Sequence, residues 1–373
     1  MNPKNVEPRQ FSLRDRLDKS WFWPVGIAGA FSAFVTAAFR TPPGARPAPR
    51  EPGAAAGRLG SQSGKPAQSP GKLERKYALT AVLGGTSSAD PFRRSLVGID
   101  VGTDDRIFAL GDEEVRIYGA GGKVVGRWQA PAKAGCLTAG PGGSVCVGAG
   151  NFVEIYDAGG ARLGGFAAGD AKAPARITAI KTYGKEILVA DADARIIRRY
   201  DRSGRQLGVI GTQSKTGSFI LPNKSLDFDV DAKGVVRATD TGRHQVTAWT
   251  IDGAPLGRFG KFGMANPEDF VGCCNPVNLA IAPDGRIVTA EKMISRVKVY
   301  EPDGKLLAVI GPENFDPECI HIHLALDSKG RILAADPVRR EIKIFSLAAK
   351  TGNESPGGLH PPADGQLYEV TRG

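Results

Sequence analysis

Cys273, Cys274, Cys319, His321 and His323 lie close together in a 373-residue chain that has only five cysteines and four histidines. Thiolates and imidazoles at this density can bind a soft or borderline metal such as zinc or copper. The same cysteines can instead form a Cys274–Cys319 disulfide, or pack as buried thiols. No Cys-x-x-Cys or His-x-x-x-His spacing accompanies them. Asp227 joins His321, His323, Cys274 and Cys319 as a candidate metal-ligand set, with zinc, copper or calcium as the candidate ions and no cofactor as the default.

The cysteines belong to a longer repeat. Pro267-Glu268-Asp269-Phe270, followed by Cys273-Cys274-Asn275, recurs 45 residues later as Pro312-Glu313-Asn314-Phe315, followed by Cys319. Phe219 falls on the same aromatic position further upstream. These residues lie in the segments 212–225, 261–277 and 312–321. Phe219, Glu268, Phe270, Cys273, Cys274, Asn275, Glu313, Phe315 and Cys319 therefore form a candidate binding face, because long loops on a rigid scaffold concentrate binding residues. For Phe270 and Phe315, plugging the gap between blades competes with stacking on a ligand.

The elements that position these loops repeat at the same interval. Tyr118, Tyr156, Tyr200, Trp249, Tyr300 and Phe345 each end a β-like run, at steps of 38, 44, 49, 51 and 45 residues. The first five are each followed four residues later by a glycine. A strand-rich period of 40–50 residues predicts a β-propeller with one four-stranded blade per repeat. Asp-Gly turns flanked by β-branched residues mark the hairpins. The sixth blade lacks a fourth strand after Phe345, and Ala81-Val82-Leu83-Gly84 matches Ala308-Val309-Ile310-Gly311 of the fifth. Residues 77–84 are therefore expected to close the ring within the last blade, which removes an exposed edge.

On this ruler His323, Asn278, Asp227 and Cys136 occupy equivalent positions on the inner strands. The predicted fold is thus all-β: a six-bladed propeller over 75–348, with a disordered tail at 349–373.

Ala190-Asp191 with Arg195, Thr239-Asp240 with His244, Glu291 with Arg296, and Ala335-Asp336 with Arg340 resemble the NHL-repeat family. Blades 1 and 2 lack the acidic residue at that position. The resemblance covers roughly residues 77–348 and implies an NHL-like propeller. Such propellers include binding scaffolds and some lyases or hydrolases that use a metal in the central channel. Only Asp227, Asn278, His323 and possible companion His321 are placed to converge there. No Ser-His-Asp set or phosphate loop is evident, so the expectation leans away from an enzyme.

The N-terminal region has a different character. Residues 1–20 are charged. Residues 21–39 carry no charge and are near the length of a membrane-spanning helix, with Trp21 and Trp23 at an interfacial position. Residues 40–74 read as a flexible Pro/Ala/Gly/Ser linker. Residues 1–74 hold 11 basic and 5 acidic residues, or +6 of the chain's net +10. The propeller segment is therefore only mildly basic, and no nucleic-acid partner is expected. The expectation is a single-pass membrane protein with an extracytoplasmic, periplasmic propeller that binds a protein partner.

Overall fold

A computed structural model describes residues 73, 75–211 and 218–348. The expected anchor at 21–39, the linker apart from residue 73, and the tail lie outside these residues. Among the described residues no helix is long and apolar enough to cross a membrane.

Six four-stranded antiparallel sheets make up the ring. Their inner strands are Gly98–Val101, Ala134–Ala139, Ile177–Tyr183, Phe228–Val230, Asn278–Ile281 and His323–Leu326. The protein is an all-β six-bladed propeller, as the period predicts. The strand Tyr77–Gly84 pairs antiparallel with Glu341–Leu347, from Tyr77 opposite Leu347 to Gly84 opposite Glu341. The last blade is closed by the N-terminal strand, and the edge of Glu341–Leu347 is covered.

The aromatic–glycine repeat has a packing cause. Phe166, on the outer strand of the second blade, stacks against Tyr200 of the third at 5.0 Å. Phe259 meets Tyr300 in the same way at 5.0 Å. A Cβ at Gly204 would sit 2.4 Å from Phe166 Cβ, and one at Gly304 would sit 2.5 Å from Phe259 Cβ. Both glycines also adopt positive φ. The hairpin glycine thus turns the chain and leaves room for the previous blade's aromatic.

Each acidic residue that ends a second strand fastens an incoming loop. Asp191, Asp240, Glu291 and Asp336 accept backbone N–H groups from Arg176, Ile220, Val271 and Asp316. Blade 1 has Gly111 at this position, and Asp112, one residue on, takes over. Its carboxylate accepts from the amides of Arg93, Arg94 and Ser95. The acidic position therefore serves the architecture, since it satisfies loop amides that burial would leave unpaired.

Candidate functional site

In each blade the chain runs to one face, back, out again and back, so the inter-blade loops and the second-to-third-strand turns share a face. The predicted binding residues divide sharply on this face. Phe219, Phe270, Phe315, Cys274, Asn275 and Cys319 are buried. They pack beneath the surface, so Phe270 and Phe315 take the plugging role and Cys274 and Cys319 are buried thiols, while Phe219 and Asn275 are likewise inside and not on the face itself. Phe219 packs on Trp249, Phe270 on Tyr300 and Phe315 on Phe345, at 6.0–6.1 Å. Glu268, Cys273 and Glu313 are exposed.

Asn275 fastens its loop to the neighbouring turn. Its amide donates to the carbonyl of Lys292 at 3.1 Å and accepts from the Lys292 amide at 3.0 Å. All five cysteines are free thiols, so no bridge joins Cys274 to Cys319. The Cys319 thiol donates to the His321 carbonyl at 3.4 Å, and burial pushes it up to about 12. Burial raises the Cys274 thiol as well. Inert thiols of this kind are packing groups.

A cation supports the plugging aromatics, a feature the sequence reading missed. Lys298 Nζ lies 4.2 Å from the Phe270 ring centre and Arg116 Cζ lies 4.0 Å from that of Phe92. Lys343 Nζ stands 5.9 Å from the Phe315 ring centre. Each cation precedes its blade's terminal aromatic by two residues, and that periodic signal was available in the sequence. Lys298 also donates to the carbonyls of Pro267, Glu268 and Asp269, while Glu291 takes Arg296 and Lys298. Arg296 is therefore part of a buried network and not a solvated hairpin charge.

Exposed apolar side chains stand on the same loops and on the turns beside them, among exposed charges such as Lys261, Glu268, Glu313 and Glu318. Ile220, Phe262, Met264, Met293 and Ile320 are 40–78% exposed. Met264 and Met293 are the only methionines besides Met1. The loops and turns that carry these side chains touch one another. The Phe262 ring meets His244 edge-on at 5.2 Å, and His244 Nε2 lies 2.8 Å from the Gly272 carbonyl. Met293 Sδ lies 2.3 Å from where a Gly272 Cβ would be. Ser295 then donates to the carbonyl of Cys319, the neighbour of Ile320, at 3.0 Å. Ile220 covers Gly242 in the turn that carries His244. Of the loop residues singled out in the sequence, Glu268, Cys273 and Glu313 are exposed and the other six are buried. Long loops also precede blades 1 and 3, at 85–97 and 168–176, and the latter holds a small hairpin.

The second feature is the central channel. His321, His323, Asn278, Asp227 and Cys136 line one cavity of about 330 Å³, so the equivalent positions do meet. Lys181, from the inner strand Ile177–Tyr183, joins them. Its ammonium stands 3.5 Å from Asp100 and 3.9 Å from Asp229. Burial alone would lower its pKa, but Asp100, Asp229 and Asp227 outweigh that and raise it. The carboxylates also stitch the blades. Asp227 accepts the Leu279 amide, Asp229 the Ile281 amide, and Asp100 the Thr138 hydroxyl. Burial lifts Asp227 to about 6 and pulls His323 down to about 4, leaving the imidazole neutral near pH 7.

The five residues expected to ligate a metal do not assemble into one site, because Cys274 and Cys319 serve the loops while Asp227 and the histidines face the channel. Among the described residues no group of three or more His, Cys, Asp or Glu is arranged to hold a metal ion. The carboxylate cluster already holds a cation of its own, the Lys181 ammonium.

No family model matches the chain, and no curated protein matches it in sequence. Solved structures do match. The chain is similar to one in a crystal structure of a mitotic checkpoint complex, with 13% identity and a TM-score of 0.50 over 81% of this chain and 98% of that one. It is also similar to a streptogramin B lyase structure, with 12% identity and a TM-score of 0.51 over 73% and 98%. The WD40 β-propeller domain of Doa1 matches at 14% identity and a TM-score of 0.48 over 72% and 97%. At these identities the likeness is one of fold.

Proposed function

We propose that this protein is a propeller scaffold that binds a protein partner through the apolar loop face over blades 4 to 6. The observation that carries this reading is the run of exposed side chains from Ile220 through Phe262 and Met293 to Ile320. Exposed apolar side chains gathered on neighbouring loops of one face support an interaction site. Aromatic residues and Met are enriched at interface cores, and the unbranched thioether adapts to irregular partners. The loops beneath are rigid, since Asn275, Glu291 and Lys298 hold them from below. A preordered surface loses less entropy on association.

The uncharged stretch 21–39 and the basic residues flanking it support tethering of the ring to a membrane, with the partner in the same bilayer or beside it. The propeller lies on the extracytoplasmic side in this reading, because long domains translocate largely regardless of charge. The strand–acid–aromatic repeat supports an NHL-like assignment within the propellers.

The test is a triple variant of the full-length protein, Phe262→Ser/Met264→Ser/Met293→Ser, compared with the unmodified protein for partner recovery from native membranes. Recovery is expected to fall at least about tenfold, which corresponds to roughly 1.4 kcal/mol. The unfolding midpoint should hardly move, because exposed substitutions cost within about 0.5 kcal/mol. Unchanged recovery from a folded triple variant would reject the surface.

A further inference from the structure

Cys273 and Cys274 are neighbours in the chain, and the turn that carries them is fastened from several directions. The Asn275 side chain donates to the Val271 carbonyl, which closes the turn from 271 to 275 around the two cysteines. The same amide is bonded to Lys292 in both directions. His244 Nε2 lies 2.8 Å from the Gly272 carbonyl, and Met293 rests on Gly272. Gly272 and Cys274 both have positive φ, at 72° and 64°. Glycine adopts this conformation readily, but a cysteine does so where its surroundings hold it.

The two thiols differ in access. Cys273 is exposed, whereas Cys274 is only 7% exposed. Burial raises the Cys274 thiol, the Cys273 thiol beside it raises it further, and the Lys292 ammonium opposes both. Cys274 is thus shielded from reagents in solution, while the thiol that perturbs it is one that solution reaches. The Cys319 thiol is turned to its own loop, where it donates to the His321 carbonyl. A trans peptide sets neighbouring Cα atoms about 3.8 Å apart. Bonded cysteines usually stand about 4.4–6.8 Å apart at Cα. A disulfide between neighbours is therefore strained, and strained disulfides are the labile, regulatory kind and not the structural kind.

We propose that Cys273 and Cys274 form a reversible thiol–disulfide switch, closed by small-molecule disulfides of the glutathione type, R–S–S–R. In the first step Cys273, as thiolate, attacks one sulfur of the reagent. A Cys273–S–S–R bond forms, the reagent's S–S bond breaks and RS⁻ leaves. In the second step Cys274, as thiolate, attacks Cys273 Sγ. The Cys273–Cys274 bond forms and the second RS⁻ leaves. The two cysteine protons end on the two released thiolates. Two electrons pass from the cysteine pair to the reagent, which becomes two thiols, and excess thiol reverses both steps. The inference stands apart from the partner-binding reading, because its readout is the state of the thiols themselves.

The test treats the full-length protein with oxidised glutathione, alkylates it in denaturant, digests it with trypsin and weighs the peptides. Cys273 and Cys274 fall in one tryptic peptide, 262–286, and Cys319 falls in another, 306–329. Peptide 262–286 is expected to lose two hydrogens and to take no alkyl group. Excess reduced glutathione, added before alkylation, should restore both alkylation sites. Cys274→Ser should stop at the first step, with one glutathione on Cys273, and Cys273→Ser should leave Cys274 unreacted. A lasting glutathione adduct on Cys273 of the unmodified protein, or no reaction at either cysteine, would overturn the proposal. So would a cross-link to peptide 306–329, or a closed pair that excess reduced glutathione does not reopen. If either variant fails to fold, the mass of peptide 262–286 from the unmodified protein decides.

Discussion

Lys298 Nζ and Glu291 Oε1 lie 2.8 Å apart with both side chains wholly buried. The pair sits beneath the loop 261–277, whose carbonyls at Pro267, Glu268 and Asp269 accept from the same ammonium. Glu291 Oε2 accepts the Val271 amide from the same loop. One buried ion pair thereby holds the middle of the loop that carries Phe262 and Met264, from Pro267 to Val271. Isolated charges could not remain there, and removing one partner leaves the other uncompensated.

Lys298→Met should therefore destabilise the fold by about 3–5 kcal/mol. In the double variant Lys298→Met/Glu291→Leu the cost should be well below the sum of the two single changes, since neither charge is then stranded. A chemical-denaturation double-mutant cycle measures this. Additive costs would mean that the two groups do not act as a pair.

The closing strand offers a test of register. Leu83 is 8% exposed and faces the cluster around Tyr118, whereas Val82, its neighbour, is 45% exposed. Leu83→Ala should cost about 2–4 kcal/mol and Val82→Ala under about 0.5. Thermal unfolding of the two variants checks the pairing of 77–84 with the last blade. A reversed order would place the strand one residue out of register.

Much of this architecture was legible in the sequence. The 45-residue shift that carries Cys274 onto Cys319 reported a true registration of loops. The match of Ala81–Gly84 to Ala308–Gly311 found the strand that closes the ring. Both are visible because a repeat must satisfy the same packing constraint each time, as Gly204 and Gly304 do beneath Phe166 and Phe259. Lys181 was not legible. Its role depends on Asp100 and Asp229 from other blades, and no local pattern reports a cation that three blades share. Phe270 and Phe315 were recognised as repeated, but a repeat does not say which side chains of a loop point inwards. Their partners Lys298 and Lys343 carry that information, as does Arg116 for Phe92.

Two channel groups should give opposite pH dependences. His323 sits at about 4 in the fold against an ordinary 6.5. Its folding contribution is complete above pH 6.5 and is lost as pH falls from 6.5 to 4. Asp227 sits at about 6 against 3.8, so its burial cost is present above pH 6 and is relieved as pH falls towards 3.8. His323→Gln removes the first slope and keeps the second. Relative to the unmodified protein, the variant should gain about 1–2 kcal/mol between pH 7 and pH 5. Urea unfolding at the two pH values measures the difference, and a constant difference would contradict a buried neutral imidazole.

The most direct measurement is site-specific photo-crosslinking of the full-length protein in intact cells, with a benzophenone side chain placed singly at Phe262, Met293 or Leu163. Leu163 is 60% exposed but lies on the outer strand Arg162–Ala167, away from the loop face. The account predicts one discrete protein adduct, shared by positions 262 and 293 and absent at 163. The same adduct at all three positions, or none at 262 and 293, would contradict a partner-binding loop face.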